Sequence, residues 1–279
     1  MIDVATPPMI DGAFARWLAT RTGQLLLDLR AELGFDDPGA LRAAGDKLAH
    51  DLIRTELARW RPADAVLAES DEGARLGWAA EVSSHAVHRL TADRVWIIDP
   101  LDGTREFAES GRSDWAVHVA LWSRQAKAPH GLVGGAIALP AQHRVVGTDF
   151  PPAYPPMTLE AATGGGRRIR LAASRSRPPV FLTDLADDVG AQLVPMGSAG
   201  ARIAAVISGE VDAYLHAGGQ YEWDSAAPVA VATATGLHAS RIDGSALKYN
   251  EADPRLPDLL VCRKDLAPRL LAALHRHSG

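Results

Sequence analysis

Val95-Trp96-Ile97-Ile98-Asp99-Pro100-Leu101-Asp102-Gly103-Thr104 is an apolar, strand-like run that ends in two carboxylates three positions apart. Pro100 fixes one backbone angle and offers no N–H to a sheet ladder, so the strand is expected to stop there. Gly103 and Thr104 follow, small residues whose backbone N–H groups can point at an anion. Two carboxylates beside such a turn repel an anionic ligand unless a cation lies between. Oxygen donors of this kind select Mg²⁺ over zinc or copper. The stretch therefore predicts a turn that holds magnesium, with a phosphate ester held by the magnesium. Read alone, Asp-Pro and Asp-Gly also fit an ordinary surface turn. The rest of the chain decides between the two.

The chain has 279 residues, enough for one large domain or two lobes sharing a cleft. With 47% hydrophobic and 23% charged residues it reads as a globular protein with a sizeable core. A net charge of -5 argues against binding a nucleic acid polymer, which calls for a basic surplus. It leaves room for a small anionic substrate, because a local metal cluster overrides the global sign. Cys262 is the single cysteine, which excludes an intrachain disulfide framework and a Cys-based zinc site. No basic-plus-apolar leader opens the chain, and no apolar run nears the roughly 20 residues that span a bilayer. A cytoplasmic protein without a membrane partner is expected.

Apolar spacing predicts a helix over 10–33, stopped by Gly34. A second is expected after Asp36-Asp37-Pro38-Gly39, running to about Trp60 with Leu48, Leu52, Ile53 and Leu57 as its inner face. Asp46 lies on it beside Leu48 and is expected to face inward, although a solvated helix carboxylate is the simpler alternative. Ala65-Val66-Leu67-Ala68 reads as a short buried strand ending in Glu69-Ser70-Asp71-Glu72. The polar segment 73–92 carries too little pattern to assign. Strands are expected over 115–122, then a hairpin of 131–139 and 143–146 around Pro140-Ala141-Gln142. His118 in the first of these reads as a hydrogen-bonded core histidine. A proline-rich loop over 151–156 and a flexible Gly164-Gly165-Gly166-Arg167-Arg168 turn follow.

In the second half, strands are expected over 168–173, 192–196, 211–216 and 259–262. Ser174-Arg175-Ser176-Arg177 is a small basic cluster able to grip a phosphate, or equally an ordinary basic loop. Gly197-Ser198-Ala199-Gly200 opens a helix over 201–208 whose N-terminal donors suit an anion. After a loop over 217–222, Asp224 sits where an N-cap belongs, with Pro228 inside the helix start. A last helix covers 266–275. Five acids thus stand at strand or helix ends: Asp46, Glu69, Asp99, Asp102 and Asp224.

Asp99-Pro100-Leu101-Asp102-Gly103-Thr104 after an apolar strand, with Trp223-Asp224-Ser225-Ala226-Ala227 downstream, resembles the inositol monophosphatase superfamily of magnesium-dependent, lithium-sensitive phosphatases. Ala173-Ser174-Arg175-Ser176 and the surroundings of Trp223 look most like the CysQ-type 3′(2′),5′-bisphosphate nucleotidases, the actinobacterial ones in particular. The chain departs from that pattern at Ser70, at Arg42-Ala43-Ala44-Gly45 and at Arg177, where relatives carry Glu, a lysine-bearing loop and His.

The resemblance implies an α+β (α/β) layered αβαβα sandwich. Residues 1–171 would form an N-terminal lobe with a large antiparallel sheet, and 172–279 a C-terminal lobe with a smaller mixed one. Glu69, Asp99 and the Leu101 carbonyl would hold one Mg²⁺, and Asp99, Asp102 and Asp224 a second. A third, looser ion would use Glu69 and water. Gly103 and Thr104 would donate N–H groups to phosphate, with Ser174, Arg175, Arg177, Gly197, Ser198 and Asp224 also facing substrate. Asp46 and the Thr104 hydroxyl would act on the attacking water, with Glu69 counted among the catalytic groups. The implied activity is hydrolysis of the 3′-phosphate of 3′-phosphoadenosine 5′-phosphate, with 3′-phosphoadenylyl sulfate as a further substrate. Inositol 1-phosphate or fructose 1,6-bisphosphate would fit the same chemistry, and a non-catalytic ligand-binding relative is the rival from another class. A homodimer is implied by resemblance alone.

Overall fold

The computed structural model describes residues 6–69, 84–154, 168–176 and 178–277. Ser70, Asp71, Glu72, Pro155, Pro156, the Gly164–Arg167 turn and Arg177 lie outside them, as does all of 73–83. Strand β2 (Arg94–Asp102) is buried on both faces, and its side chains alternate between two cores. Val95 and Ile97 join one, Trp96 and Ile98 the other, as the two-residue period of a strand requires. Beside it lie β1 (Ala65–Ala68), β3 (Ala116–Ser123), β4 (Leu132–Leu139) and β5 (Arg144–Gly147), in the order β1-β2-β3-β4-β5. The β1–β2 pair is parallel and the others antiparallel, so the sheet expected to be antiparallel is mixed at that one pair.

The second sheet has the order β7-β6-β8-β10-β9. It consists of β6 (Ile169–Ser174), β7 (Ala191–Met196), β8 (Ala213–Tyr221), β9 (His238–Ser240) and β10 (Arg255–Cys262). Each sheet has five strands among the described residues. Helices α1 (Asp11–Leu33) and α2 (Pro38–Trp60) cover the outer face of the first sheet. Further along come α3 (Ser84–Thr91), α4 (Thr104–Phe107) and α5 (Leu182–Asp188). Helices α6 (Ala199–Ile207) and α7 (Glu222–Thr235) fill the space between the sheets, and α5 and α8 (Ala267–His277) cover the far side. This is the αβαβα layering. The alanine-rich α7 packs tightly on the first sheet: a Cβ on Gly135 of β4 would lie 3.0 Å from the Cβ of Ala230.

Several boundaries differ from the expected ones. Strand β8 continues to Tyr221, through Gly218 and Gly219 at positive φ, where a loop over 217–222 was expected. Helix α7 therefore starts at Glu222, and Pro228 lies deeper than the first turn. On α2 the buried face is Leu41, Gly45, Ala49, Ile53, Glu56 and Leu57, while Leu48 is exposed.

Candidate active site

Strand β2 does not stop at Pro100; it runs on to Asp102 through a β-bulge. Asp99 pairs with His118 and Asp102 with Ala116, so Pro100 and Leu101 together face the single residue Val117. The missing N–H of Pro100 falls where the ladder already lapses, which is why a proline is tolerated there. The bulge also decides the chemistry. Residues three apart on a regular strand point to opposite faces, but the partners of Asp99 and Asp102 are two apart and share one. Both carboxylates thus turn toward the middle layer.

The other acids come from neighbouring elements. In the parallel β1–β2 pair Ala68 stands opposite Ile98, and the Glu69 N–H donates to the Ile98 carbonyl at 3.2 Å. Continuing that register puts Glu69 beside Asp99. Asp224 lies in the first turn of α7, its Oδ2 accepting the Tyr221 N–H at 2.7 Å; it is not the N-cap. Oxygens of Asp99, Asp102 and Asp224 all lie within 4.8 Å of one another. Each carboxylate is tethered through one oxygen by a backbone N–H: Asp99 Oδ1 by Leu101 at 3.1 Å, Asp102 Oδ2 by Gly200 at 2.6 Å, and Asp224 by Tyr221. That arrangement fixes their rotamers.

Like charges at this spacing oppose ionisation. Burial, then the charges of Glu69, Asp102 and Asp224, hold the Asp99 carboxyl well above the usual carboxylate range. Burial, then Asp102, push Asp224 up to about 7. Burial also raises Asp102, but His118, the Gly200 N–H and Arg202 outweigh it, and its carboxyl lies below the ordinary value. A divalent cation is the counter-charge such a cluster lacks. The donors are all carboxylate oxygens, which suits a hard ion and fits the metal that the sequence led us to expect.

Gly103 has φ 85° and caps α4, and a Cβ on it would lie 2.8 Å from the Ser198 Cβ, so both its backbone angle and its neighbour demand glycine. Thr104, half-buried, begins α4. Asp46 lies on α2, next to Gly45, which packs so closely that a Cβ there would sit 2.7 Å from Phe107 and 3.0 Å from Leu101. Asp46 is half-buried there.

The substrate-side group is more dispersed. Gly197 and Ser198 are buried, and their N–H groups donate to Asp114, at 2.6 Å to Oδ2 and 3.0 Å to the carbonyl. The Ser198 hydroxyl accepts the Ala201 N–H at 3.1 Å as the cap of α6. Arg175 ion-pairs with Glu106 at 2.9 Å and Glu109 at 2.8 Å, fastening the end of β6 to α4. Ser174 is the half-buried last residue of β6. The acids that hold Arg175 were not singled out in the sequence; nothing in their spacing marks them. His118 is the fully buried, hydrogen-bonded histidine expected, its Nδ1 3.1 Å from the Trp223 carbonyl. Its Nε2 also lies 3.3 Å from Asp102 Oδ2, a link the strand pattern alone does not reveal.

Residues 14–278 match the model of the inositol monophosphatase family. The chain is 49% identical over 272 residues to a 3′-phosphoadenosine 5′-phosphate phosphatase of Mycobacterium leprae, covering 95% of this chain and 94% of the relative. It is 27% identical over 210 residues to the 3′(2′),5′-bisphosphate nucleotidase CysQ of Escherichia coli, covering 74% of this chain and 78% of that one. Among solved structures, inositol monophosphatase-II from Staphylococcus aureus superposes with a TM-score of 0.71 at 18% identity, over 95% of both chains. At that identity the likeness concerns the fold.

Proposed function

The chain belongs to the inositol monophosphatase family, and on that footing we propose that it is a Mg²⁺-dependent phosphomonoesterase removing the 3′-phosphate of 3′-phosphoadenosine 5′-phosphate. 3′-Phosphoadenylyl sulfate is a second substrate in this reading. The observation that carries the chemistry is the convergence of Asp99, Asp102 and Asp224 within 4.8 Å, with Glu69 at their side. The choice of substrate follows the relative that shares about half of its residues with this chain.

Glu69, Asp99 and the Leu101 carbonyl would hold one Mg²⁺, and Asp99, Asp102 and Asp224 another, with Glu69 contributing to a third. When bound, Mg²⁺ neutralises the phosphate dianion and lowers the pKa of water. The chain's own groups do the rest. Gly103 and Thr104 direct backbone N–H groups at the phosphate, and the left-handed turn at Gly103 presents them. The Thr104 hydroxyl and Asp46 orient the attacking water, and Asp46 accepts its proton. Ser174 and the Ser198 turn border the substrate; Arg175, already paired with Glu106 and Glu109, contributes by holding that border in place.

The test is phosphate release from matched concentrations of 3′-phosphoadenosine 5′-phosphate, inositol 1-phosphate and fructose 1,6-bisphosphate, each with and without Mg²⁺. Fastest release from the nucleotide, abolished without metal, is expected. A preference for inositol 1-phosphate would overturn the substrate, and no release from any monoester would favour a non-catalytic ligand-binding protein.

A further inference from the structure

His118 stands at a junction of three elements. It projects from β3 opposite Asp99, on the face that Ala116 and Ala120 share toward the middle layer. Its ring is fully buried. Nδ1 lies 3.1 Å from the carbonyl of Trp223, the residue before Asp224, and Nε2 lies 3.3 Å from Oδ2 of Asp102. Helix α6 closes the third side: a Cβ on Gly200 would fall 2.0 Å from Nε2, so only glycine admits the ring. The Gly200 N–H meets the same Oδ2 at 2.6 Å. Carbonyl and carboxylate oxygens both only accept, so the ring that serves both carries a proton on each nitrogen, Nδ1–H toward Trp223 and Nε2–H in an ion pair with Asp102. Oδ2 of Asp102 is thereby engaged from two sides, which leaves Oδ1 as the oxygen open to a metal.

We propose that His118 is a positioning residue for the metal site, holding Asp102 so that it ligates through Oδ1 and tying it to the first turn of α7 that carries Asp224. It touches neither metal nor substrate. Partners that orient a ligand from behind commonly set metal affinity by 10- to 100-fold. The inference rests on the reading that Asp102 is a metal ligand.

Two conservative variants separate the two nitrogens. The amide of His118→Gln reaches the depth of Nε2 and keeps a donor for Asp102. The amide of His118→Asn reaches only the depth of Nδ1 and serves the Trp223 carbonyl alone. Mn²⁺ is titrated into each substrate-free, folded protein and the free ion followed by electron paramagnetic resonance. His118→Asn is expected to weaken Mn²⁺ binding by about tenfold or more, and His118→Gln by no more than about threefold. Equal affinities in the two variants, whether unchanged or equally weakened, would overturn the proposal. If the Asn variant does not fold, the Gln variant decides alone, and a tenfold loss there overturns it. Absence of Mn²⁺ binding in the wild type would remove the metal-site reading itself, and this inference with it. Normal wild-type binding without a difference between variants removes only the role of His118.

Discussion

Asp99 is buried between two further aspartates and beside Glu69, and its carboxyl is held well above the ordinary range by that burial and crowding. Asp224 follows at about 7 for the same reasons. In the metal-free protein both therefore bind protons more tightly folded than unfolded. Their contribution to stability is present below the unfolded carboxylate range and is lost as pH rises through the folded values. Metal binding demands the deprotonated forms and releases those protons. The gap in melting temperature between Mg²⁺-loaded and metal-free protein is accordingly expected to widen from pH 5 to pH 8, measured by calorimetry at constant ionic strength. A gap that stays constant or narrows would contradict the assignment of these acids to the ion.

Helix α2 contributes to the site through a glycine as well as an acid. Gly45 lets the helix settle onto Leu101 and Phe107, and a Cβ there would sit 2.7 Å from an aromatic carbon enclosed by the core. Gly45→Ala is expected to cost about 1–3 kcal/mol of stability, the usual range for overpacking. It should also lower turnover by more than the unfolded fraction explains, because the neighbouring Asp46 shifts with the helix. Urea denaturation and a steady-state assay on the same preparation check both. The long periodic segments could be read from the chain alone: α1, α2, β1, β3 and the β4–β5 hairpin stand close to their expected places. What escaped was set by tertiary context. The bulge at Pro100 is visible only once β3 supplies a register, and it turns two carboxylates from opposite faces to one. On α2, apolar character pointed to Leu48, whereas the close packing chose Gly45 and Ala49. Helices α4 and α5 and strand β9 are too short for a period to declare itself. The Gly218-Gly219 pair reads as a loop because glycine usually marks one, yet it forms a bulge inside β8, with Ala217 and Gln220 on either side paired to β10.

The layering explains how acids from distant parts of the chain meet. Helix α7 follows β8 of the second sheet in sequence but packs on β2, β3 and β4 of the first, which carries Asp224 to the end of β2. Buried polar contacts join the two halves. Arg89 on α3 binds Asn250 Oδ1 and the Glu251 carbonyl at 2.9 Å each, and Glu222 at the start of α7 accepts the N–H groups of Asn250 and Glu251 at 2.7 and 2.8 Å. The net charge of -5 would repel a phosphorylated substrate, so the site must reverse that sign locally. Among the described residues, no helix is long and apolar enough to cross a membrane. The fold thus serves to gather acids at one point, and that point can be inspected directly. In crystals soaked with Mn²⁺, anomalous difference density is expected between Asp99, Asp102 and Asp224, with Glu69 in the same shell. Density confined to other sites, or none at saturating Mn²⁺, would contradict the account.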